Sequence, residues 1–219
     1  LITLNQEFID GSWYEEEYRR KWYKLQYIDT PEPSWAKQTK DYYNGLIIAY
    51  TGIKPNMKIL DLGAGVGQVV QAWERIGFIN VHGIEISETA VKHANHPNVI
   101  CGSAQKMPYK DGEFDLVSSH AFFEHIDESI LPEVISECFR VGKRQAHTIG
   151  LEKGDDPSHI NIKTMDEWLM VFAEAIKNKD WLVAHLPDPL LNIGPVLVAF
   201  GRQYIPDQVW KSYNQQVAA

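Results

Sequence analysis

Cysteine is scarce in this chain, basic charge is in the minority and long apolar runs are missing, and each lack removes a class of protein. Only Cys101 and Cys138 occur, far apart and in no metal-type spacing. Neither a disulfide framework nor a zinc module is expected, and a reducing cytoplasm is the expected compartment. The 21 Lys and Arg are outnumbered by 29 Asp and Glu, for a net charge of −8, with no basic run beyond Arg19-Arg20-Lys21. A nucleic-acid backbone is therefore a poor partner, and a small acceptor fits better. No apolar stretch approaches the ~18 residues of a spanning helix and no signal-peptide pattern opens the chain, so a soluble protein without a membrane partner is expected. Internal repeats and low-complexity segments are absent too. What remains is a chain of 219 residues, 44% hydrophobic, sufficient for one domain with a sizeable core.

One stretch organises it: Lys58-Ile59-Leu60-Asp61-Leu62-Gly63-Ala64-Gly65-Val66-Gly67-Gln68. Met57 to Leu60 reads as a short buried strand with Asp61 at its carboxyl end, and a helix opens at Gln68 and runs to about Ile76 before Gly77. Strand, glycine turn and helix form a nucleotide-type ligand site. Glycine removes Cβ atoms where backbone passes close to a ligand, and the N–H groups at the helix start favour negative charge. A dinucleotide fingerprint would need glycine at position 68, where this chain has Gln68, so an NAD site is disfavoured. Val81 to Ile86 reads as the next strand. Its Glu85, about 20 positions beyond the turn, is spaced to accept hydrogen bonds from both hydroxyls of a ribose. Ser87 then caps a helix through Lys92 and His93.

The rest of the chain alternates in the same manner. Residues 13 to 28 carry a helical stripe of Tyr14, Tyr18, Trp22 and Leu25, with Glu15/Arg19, Glu16/Arg20 and Glu17/Lys21 on a solvated face. Trp35 to Tyr50 forms a second helix, so residues 1–52 are an N-terminal helical cap, packed on the domain or acting as a lid, and 53–219 the main domain. Val99 to Cys101 and Phe114 to Ser119 read as strands three and four, and Ala146 to Gly150 as the fifth. A helix spans Thr164 to Ile176, with Thr164 and Glu167 at capping-box spacing. Trp181 to Leu186 and Pro195 to Phe200 form a last pair of strands joined through the Pro187-Asp188-Pro189 region.

The glycine stretch resembles motif I of the class I S-adenosylmethionine (SAM) dependent methyltransferases, an acidic residue followed by Gly-x-Gly-x-Gly. Further along, Gly102-Ser103-Ala104, Met107-Pro108-Tyr109, Phe114-Asp115-Leu116-Val117 and Glu124-His125-Ile126 are similar to the ordered motifs of the methyltransferase type 11 family. The resemblance covers roughly residues 57 to 141 and extends weakly to about Gly201. It implies a Rossmann-like α/β fold with a seven-stranded, mostly parallel sheet, helices on both faces and the last two strands antiparallel at one edge. It also implies SAM as cofactor, S-adenosylhomocysteine as product, and contacts from Asp61, Gly63, Ala64, Gly65, Gly67, Glu85, Ile86, Ser103, Ala104, Gln105 and Ser119. Two departures stand out. Relatives carry Asp where this chain has Ser103, so the adenine contact there is weaker or passes to Gln105, and the turn at Phe139 to Arg144 is shortened. Two other readings stay open: a SAM-binding subunit without turnover, and an NAD-dependent oxidoreductase.

A sulfonium methyl is already electrophilic, so the protein has to align an acceptor and exclude water. An alcohol acceptor gains from a general base, which directs attention to histidine. His120 follows the fourth strand; were Ser119 to Glu128 helical, Glu124 would share its face and orient the imidazole. His125 in Glu-His-Ile is the second candidate, with packing under the sheet as its structural role. His159 is the third: Asp156 to Asn161, with Trp168 and Phe172, resembles a segment bordering the acceptor site in methyltransferases of polysaccharide and sugar-metabolite biosynthesis. An oxygen acceptor on a saccharide or sugar-containing metabolite is the expectation. Asp155, Asp156 and His159 have only a generic spacing, and no metal is expected.

Overall fold

Strand β1 (Ile59–Leu62) is hydrogen-bonded in parallel on both edges, to β2 (Val81–Glu85) on one side and β4 (Leu116–His120) on the other. The computed structural model describes residues 12, 15, 32–94, 96–154, 156–176, 181–186, 196–201 and 203. Around β1 the seven strands run β3-β2-β1-β4-β5-β7-β6, where β3 is Val99–Cys101, β5 Arg144–Thr148, β6 Trp181–Leu186 and β7 Val196–Gly201. Strand β7 is antiparallel to both β5 and β6, as the family resemblance implied. Among the described residues the helices are α1 (Ser34–Thr51), α2 (Gln68–Arg75), α3 (Glu88–His93), α4 (Leu131–Val141) and α5 (Met165–Ile176).

Because successive strand side chains point to opposite faces, each strand feeds two cores. Ile59, Leu116, Ala146, Val196 and Val198 join Tyr43 and Ile47 of α1 and Trp73 of α2 on one face. Leu60, Val117 and Leu197 join α4 and α5 on the other, where Trp168 and Phe172 are fully buried. The near-continuous apolar strands are what a parallel sheet covered on both faces requires. The termini follow their local chemistry. Gly52 ends α1 in the left-handed conformation, the Ser87 hydroxyl accepts from the Ala90 N–H at 3.1 Å, and Thr164 and Glu167 cap α5 reciprocally.

Several boundaries differ from expectation. Asp61 lies within β1 and not at its end. Strand β4 begins at Leu116, with Phe114 making only an isolated bridge to Gly142, and it continues through Ser119 to His120. No helix starts at Ser119; a single 3₁₀ turn, Phe123–His125, follows instead, because Ala121 takes a left-handed conformation (φ 50°) and breaks the chain direction. The short Phe139–Arg144 segment carries no loop. Gly142 is already extended and passes so close to β4 that a Cβ there would meet Val117 Cγ2 at 2.4 Å, so β5 starts at Arg144, two residues earlier than read. The aromatic stripe of residues 13–28 and the Pro187–Pro189 turn lie outside the described residues. Glu15 is described, and it does not face solvent as its spacing suggested: its carboxylate accepts from the Ser87 hydroxyl at 2.8 Å, the Thr89 N–H at 3.1 Å and the Thr89 hydroxyl.

A buried polar chain crosses the sheet beneath α4. Gln145 donates through Nε2 to the Cys138 carbonyl at 2.8 Å, and its Oε1 lies 3.3 Å from His147 Nε2. That oxygen can only accept, so His147 carries its proton on Nε2 and accepts at Nδ1 from the Ser119 hydroxyl at 2.9 Å. Burial holds His147 neutral, lowering its pKa to about 3. In the unfolded chain this side chain gains a proton near pH 6.5, while in the folded chain it does not, so its contribution to stability falls as pH falls from about 6.5 toward 3. Denaturant titrations at pH 5.5 and 4.5 should show wild type losing about 1 kcal/mol more over that pH unit than His147→Gln; equal losses would mean that His147 titrates normally in the fold.

Candidate functional site

The carboxyl ends of β1, β2 and β4 open into a cavity of about 490 Å³. At one end stands the glycine turn. Gly63, Gly65 and Gly67 all have positive φ (63°, 54° and 79°), which explains why three glycines alternate there. The turn is short because it must end β1 and begin α2 within five residues; Gly67 donates to the Ala64 carbonyl at 2.8 Å and precedes the first residue of α2. Gly63 has a second constraint, since a Cβ there would lie 2.7 Å from Cδ2 of Phe122.

Glu85, 5% exposed at the tip of β2, borders the cavity and holds its wall together. Its Oε2 accepts from the Gly65 N–H at 2.9 Å and its Oε1 from the Ser87 N–H at 2.8 Å, which ties the glycine turn to the start of α3. Burial raises its pKa, and the backbone N–H donors oppose that rise. Asp61 lies behind the turn, fully enclosed, with Oδ1 lacking a hydrogen-bond partner; burial first and Glu85 second raise its pKa well above the usual carboxylate range. Ile86 is 43% exposed, an uncovered apolar side chain on the cavity wall. Ser103, Ala104 and Gln105 line the same wall; Ser103 Oγ accepts from the Gln105 N–H, and the Gln105 amide donates to Glu133 at 3.0 Å.

The far end is polar. His120, His125 and His159 all line the cavity, with Asp156 and Ser158 beside them. His120 does not pair with Glu124, because the two sit on different elements, a strand and the 3₁₀ turn. Its Nε2 lies 3.2 Å from Asn44 Oδ1, its ring packs edge-on against Tyr43 with centroids 5.7 Å apart, and burial lowers its pKa to about 4. The His125 and His159 rings meet edge-on, with centroids 4.8 Å apart. Burial lowers the His125 pKa to about 4, and its Nδ1 faces the Ser158 carbonyl at 3.1 Å. His159 Nδ1 donates to the Glu152 carbonyl at 2.9 Å.

The structure therefore brings together Gly63, Ala64, Gly65, Glu85, Ile86, Ser103, Ala104, Gln105 and the three histidines, while Asp61, Gly67 and Ser119 lie outside the cavity lining. Ser119 is turned away by its bond to His147. Sequence reasoning missed the contribution of α1: Ala36, Thr39 and Lys40 border the cavity, and Asn44 holds His120. The signal was available. Ala36, Tyr43, Asn44, Ile47 and Thr51 form the buried stripe of that helix, and a buried Asn on such a stripe needs a partner.

Parallel strands on both sides of β1, with an antiparallel pair closing one edge, make this the fold of the class I SAM-dependent methyltransferases, whose cofactor site lies at the carboxyl ends of the first strands. Residues 60–149 match the family described as a methyltransferase domain. Among curated proteins, 24-methylenesterol C-methyltransferase 2 of Arabidopsis thaliana is 32% identical over 127 residues, 50% of this chain and 35% of that enzyme. Squalene methyltransferase 1 of Botryococcus braunii is 30% identical over 166 residues, 68% of this chain and 42% of that enzyme. The chain thus spans less than half the length of these relatives. Among solved structures, magnesium protoporphyrin IX methyltransferase from Synechocystis PCC 6803 with bound SAM superposes with a TM-score of 0.65 at 16% identity, covering 89% of this chain and 98% of that one.

The crowding at Gly63 separates two costs. Gly63→Ala carries both a left-handed backbone and the clash with Phe122, whereas Gly112→Ala (φ +60°) has only Lys143 Cε at 4.0 Å nearby. The first should lose clearly more stability in urea titrations than the second, which should lose about 1–2 kcal/mol; equal losses would remove Phe122 from the wall of the turn.

Proposed function

We propose that this chain transfers the methyl group of SAM to an oxygen of a small acceptor, a hydroxyl on a saccharide or sugar-containing metabolite being the first class to test. The observation that carries the reading is one continuous cavity running from Glu85 and the glycine turn to His159. The residues present fit SAM. Each oxygen of Glu85 already holds one backbone N–H and keeps a further lone pair for a ribose hydroxyl. The uncovered Ile86 offers adenine an apolar face, and the glycine turn admits a ligand close to backbone. When bound, SAM supplies an electrophilic methyl on its sulfonium; the chain's own work is to orient, to exclude water and to move a proton.

Proton handling narrows the histidines. Asn44 Oδ1 can only accept, so His120 donates through Nε2. With a pKa of about 4, His120 and His125 stay neutral at physiological pH and are weak bases there, poorly matched to taking a proton from an alcohol. His159 is left as the base candidate, its Nδ1 proton held by the Glu152 carbonyl and its lone pair therefore on Nε2. A second reading, a carbon acceptor, draws support from the C-methyltransferase names of the plant relatives and from Phe122, Ile126, Ile130 and Val134 on the cavity wall.

Calorimetric titration with SAM and S-adenosylhomocysteine tests the cofactor half. Binding at micromolar or tighter affinity is expected, and Glu85→Ala should weaken it by roughly 1–3 kcal/mol, the scale of hydrogen bonds to a charged group; no binding by wild type would sink the reading. For the acceptor half, NMR of the methylated product should show the new methyl on oxygen, and His159→Ala should lower turnover while sparing SAM affinity. A methyl on carbon would establish the second reading instead.

A further inference from the structure

Behind the polar end of the cavity, next in the chain to His125, lies a buried carboxylate that no donor completes. Glu124 is 0% exposed in the 3₁₀ turn after β4; its Oε1 accepts from the Gly150 N–H at 2.8 Å, and its Oε2 has no hydrogen-bond partner. A bare oxygen in such a place is costly unless a cation or a proton donor reaches it. The contact with Gly150 is built in, since a Cβ at position 150 would lie 2.6 Å from Oε1. Ligand atoms of Glu124, His125 and His159 lie within 4.8 Å of one another.

The two imidazoles are set in the tautomer that ligation needs. Ser158 Oγ gives its proton to Asp156 Oδ1 at 2.6 Å, so it can only accept from His125 Nδ1 at 2.9 Å, as the Ser158 carbonyl does at 3.1 Å. His125 therefore carries its proton on Nδ1 and its lone pair on Nε2. His159 does the same through the Glu152 carbonyl. Ring N–H groups held by carbonyl oxygens are the outer partners that fix metal-binding histidines. The two segments are also fastened to each other: the Ile160 and Asn161 N–H groups both donate to the Glu124 carbonyl at 3.0 Å, and Asn161 Nδ2 donates to the Ile126 carbonyl at 3.2 Å.

We propose that Glu124, His125 and His159 form a binding site for a single divalent transition-metal ion, with zinc the ion of choice. Two nitrogens and one carboxylate oxygen disfavour magnesium and calcium, which take oxygen donors. Zinc bonds of about 2.0–2.1 Å place neighbouring ligands roughly 3.3 Å apart, so the three side chains draw together by about 1.5 Å around the ion. Three protein ligands leave a position open, and His125 and His159 line the cavity, so that position lies on the acceptor side. There the ion would polarise an acceptor hydroxyl and ease loss of its proton. That last role rests on the methyl-transfer reading and takes the place of His159 as base when the ion is bound, because an Nε2 that ligates the ion cannot also accept a proton; ion binding does not rest on that reading.

Titrating the full chain, stripped with a chelator and free of SAM, with zinc alone tests the site. One ion per chain at micromolar or tighter affinity is expected, with Glu124→Gln and His159→Ala each weakening it by about tenfold or more and His185→Ala, on the exposed part of β6, leaving it unchanged. Glu124→Gln keeps an acceptor for Gly150, and circular dichroism of each variant separates loss of a ligand from loss of the fold. Cobalt in place of zinc should give visible absorption bands that disappear in His159→Ala. Absence of a one-to-one site in wild type, or undiminished affinity in both folded ligand variants, would overturn the proposal, while SAM titration of the same samples reports separately on the methyl-transfer reading.

Discussion

The parallel pairing of β1 on both edges is the constraint from which the rest follows. With β2 on one side of β1 and β4 on the other, the crossovers that leave β1 and β4 depart in opposite directions and open a crevice at the carboxyl ends of the strands. The glycine turn, the tip of β2 and the end of β4 all arrive there because their strands are in register with β1: Asp61 opposite Gly83 and Ser118, Leu62 opposite Ile84 and Ser119. Side chains separated by tens of residues become one wall. The antiparallel β6–β7 pair closes the far edge and leaves this gap untouched.

Buried charge and polarity are concentrated around the same gap. Asp61, Glu85 and Glu124 have pKa values raised first by burial, and His120, His125 and His147 have values lowered by it. Both shifts favour neutral forms, and both reflect groups held out of water by a sheet covered on two faces. The groups differ in how they are satisfied. His147 sits in a closed chain with Ser119 and Gln145 and has no part in the cavity, whereas Asp61 and Glu124 each keep an oxygen without a partner. Perturbed ionisation alone does not separate these cases; the completeness of the hydrogen bonding does.

Much of the fold was readable because its signals are local. Glycines at 63, 65 and 67, the apolar run into Asp61 and the caps at Ser87 and Thr164 each act within a few residues, and the elements they mark are present. The misread parts depend on distant partners. Glu124 and His120 fit an i,i+4 helical pair on paper, but His120 is held in β4 by pairing with Thr148 and Glu124 is fixed by Gly150. Lys40 and Asn44 belong to no motif, and their places at the site come from α1 lying across the end of β4. His147 has neither motif nor spacing to mark it, and its surroundings are supplied by Ser119 of β4, Phe123 of the 3₁₀ turn and Phe172 of α5. The histidines at 120, 125 and 159 were legible as candidates; their tautomers, which decide what each can do, were not.

Ser87 is gripped by two carboxylates, its N–H by Glu85 and its hydroxyl by Glu15 from a segment more than seventy residues earlier, with Glu15 also raising the proton affinity of Glu85. Glu15 is thereby wired to Glu85 on the cavity wall through Ser87. Seating Glu15 and filling the cavity draw on the same pair of residues, and thermodynamic reciprocity requires that any help one gives the other be returned in equal measure.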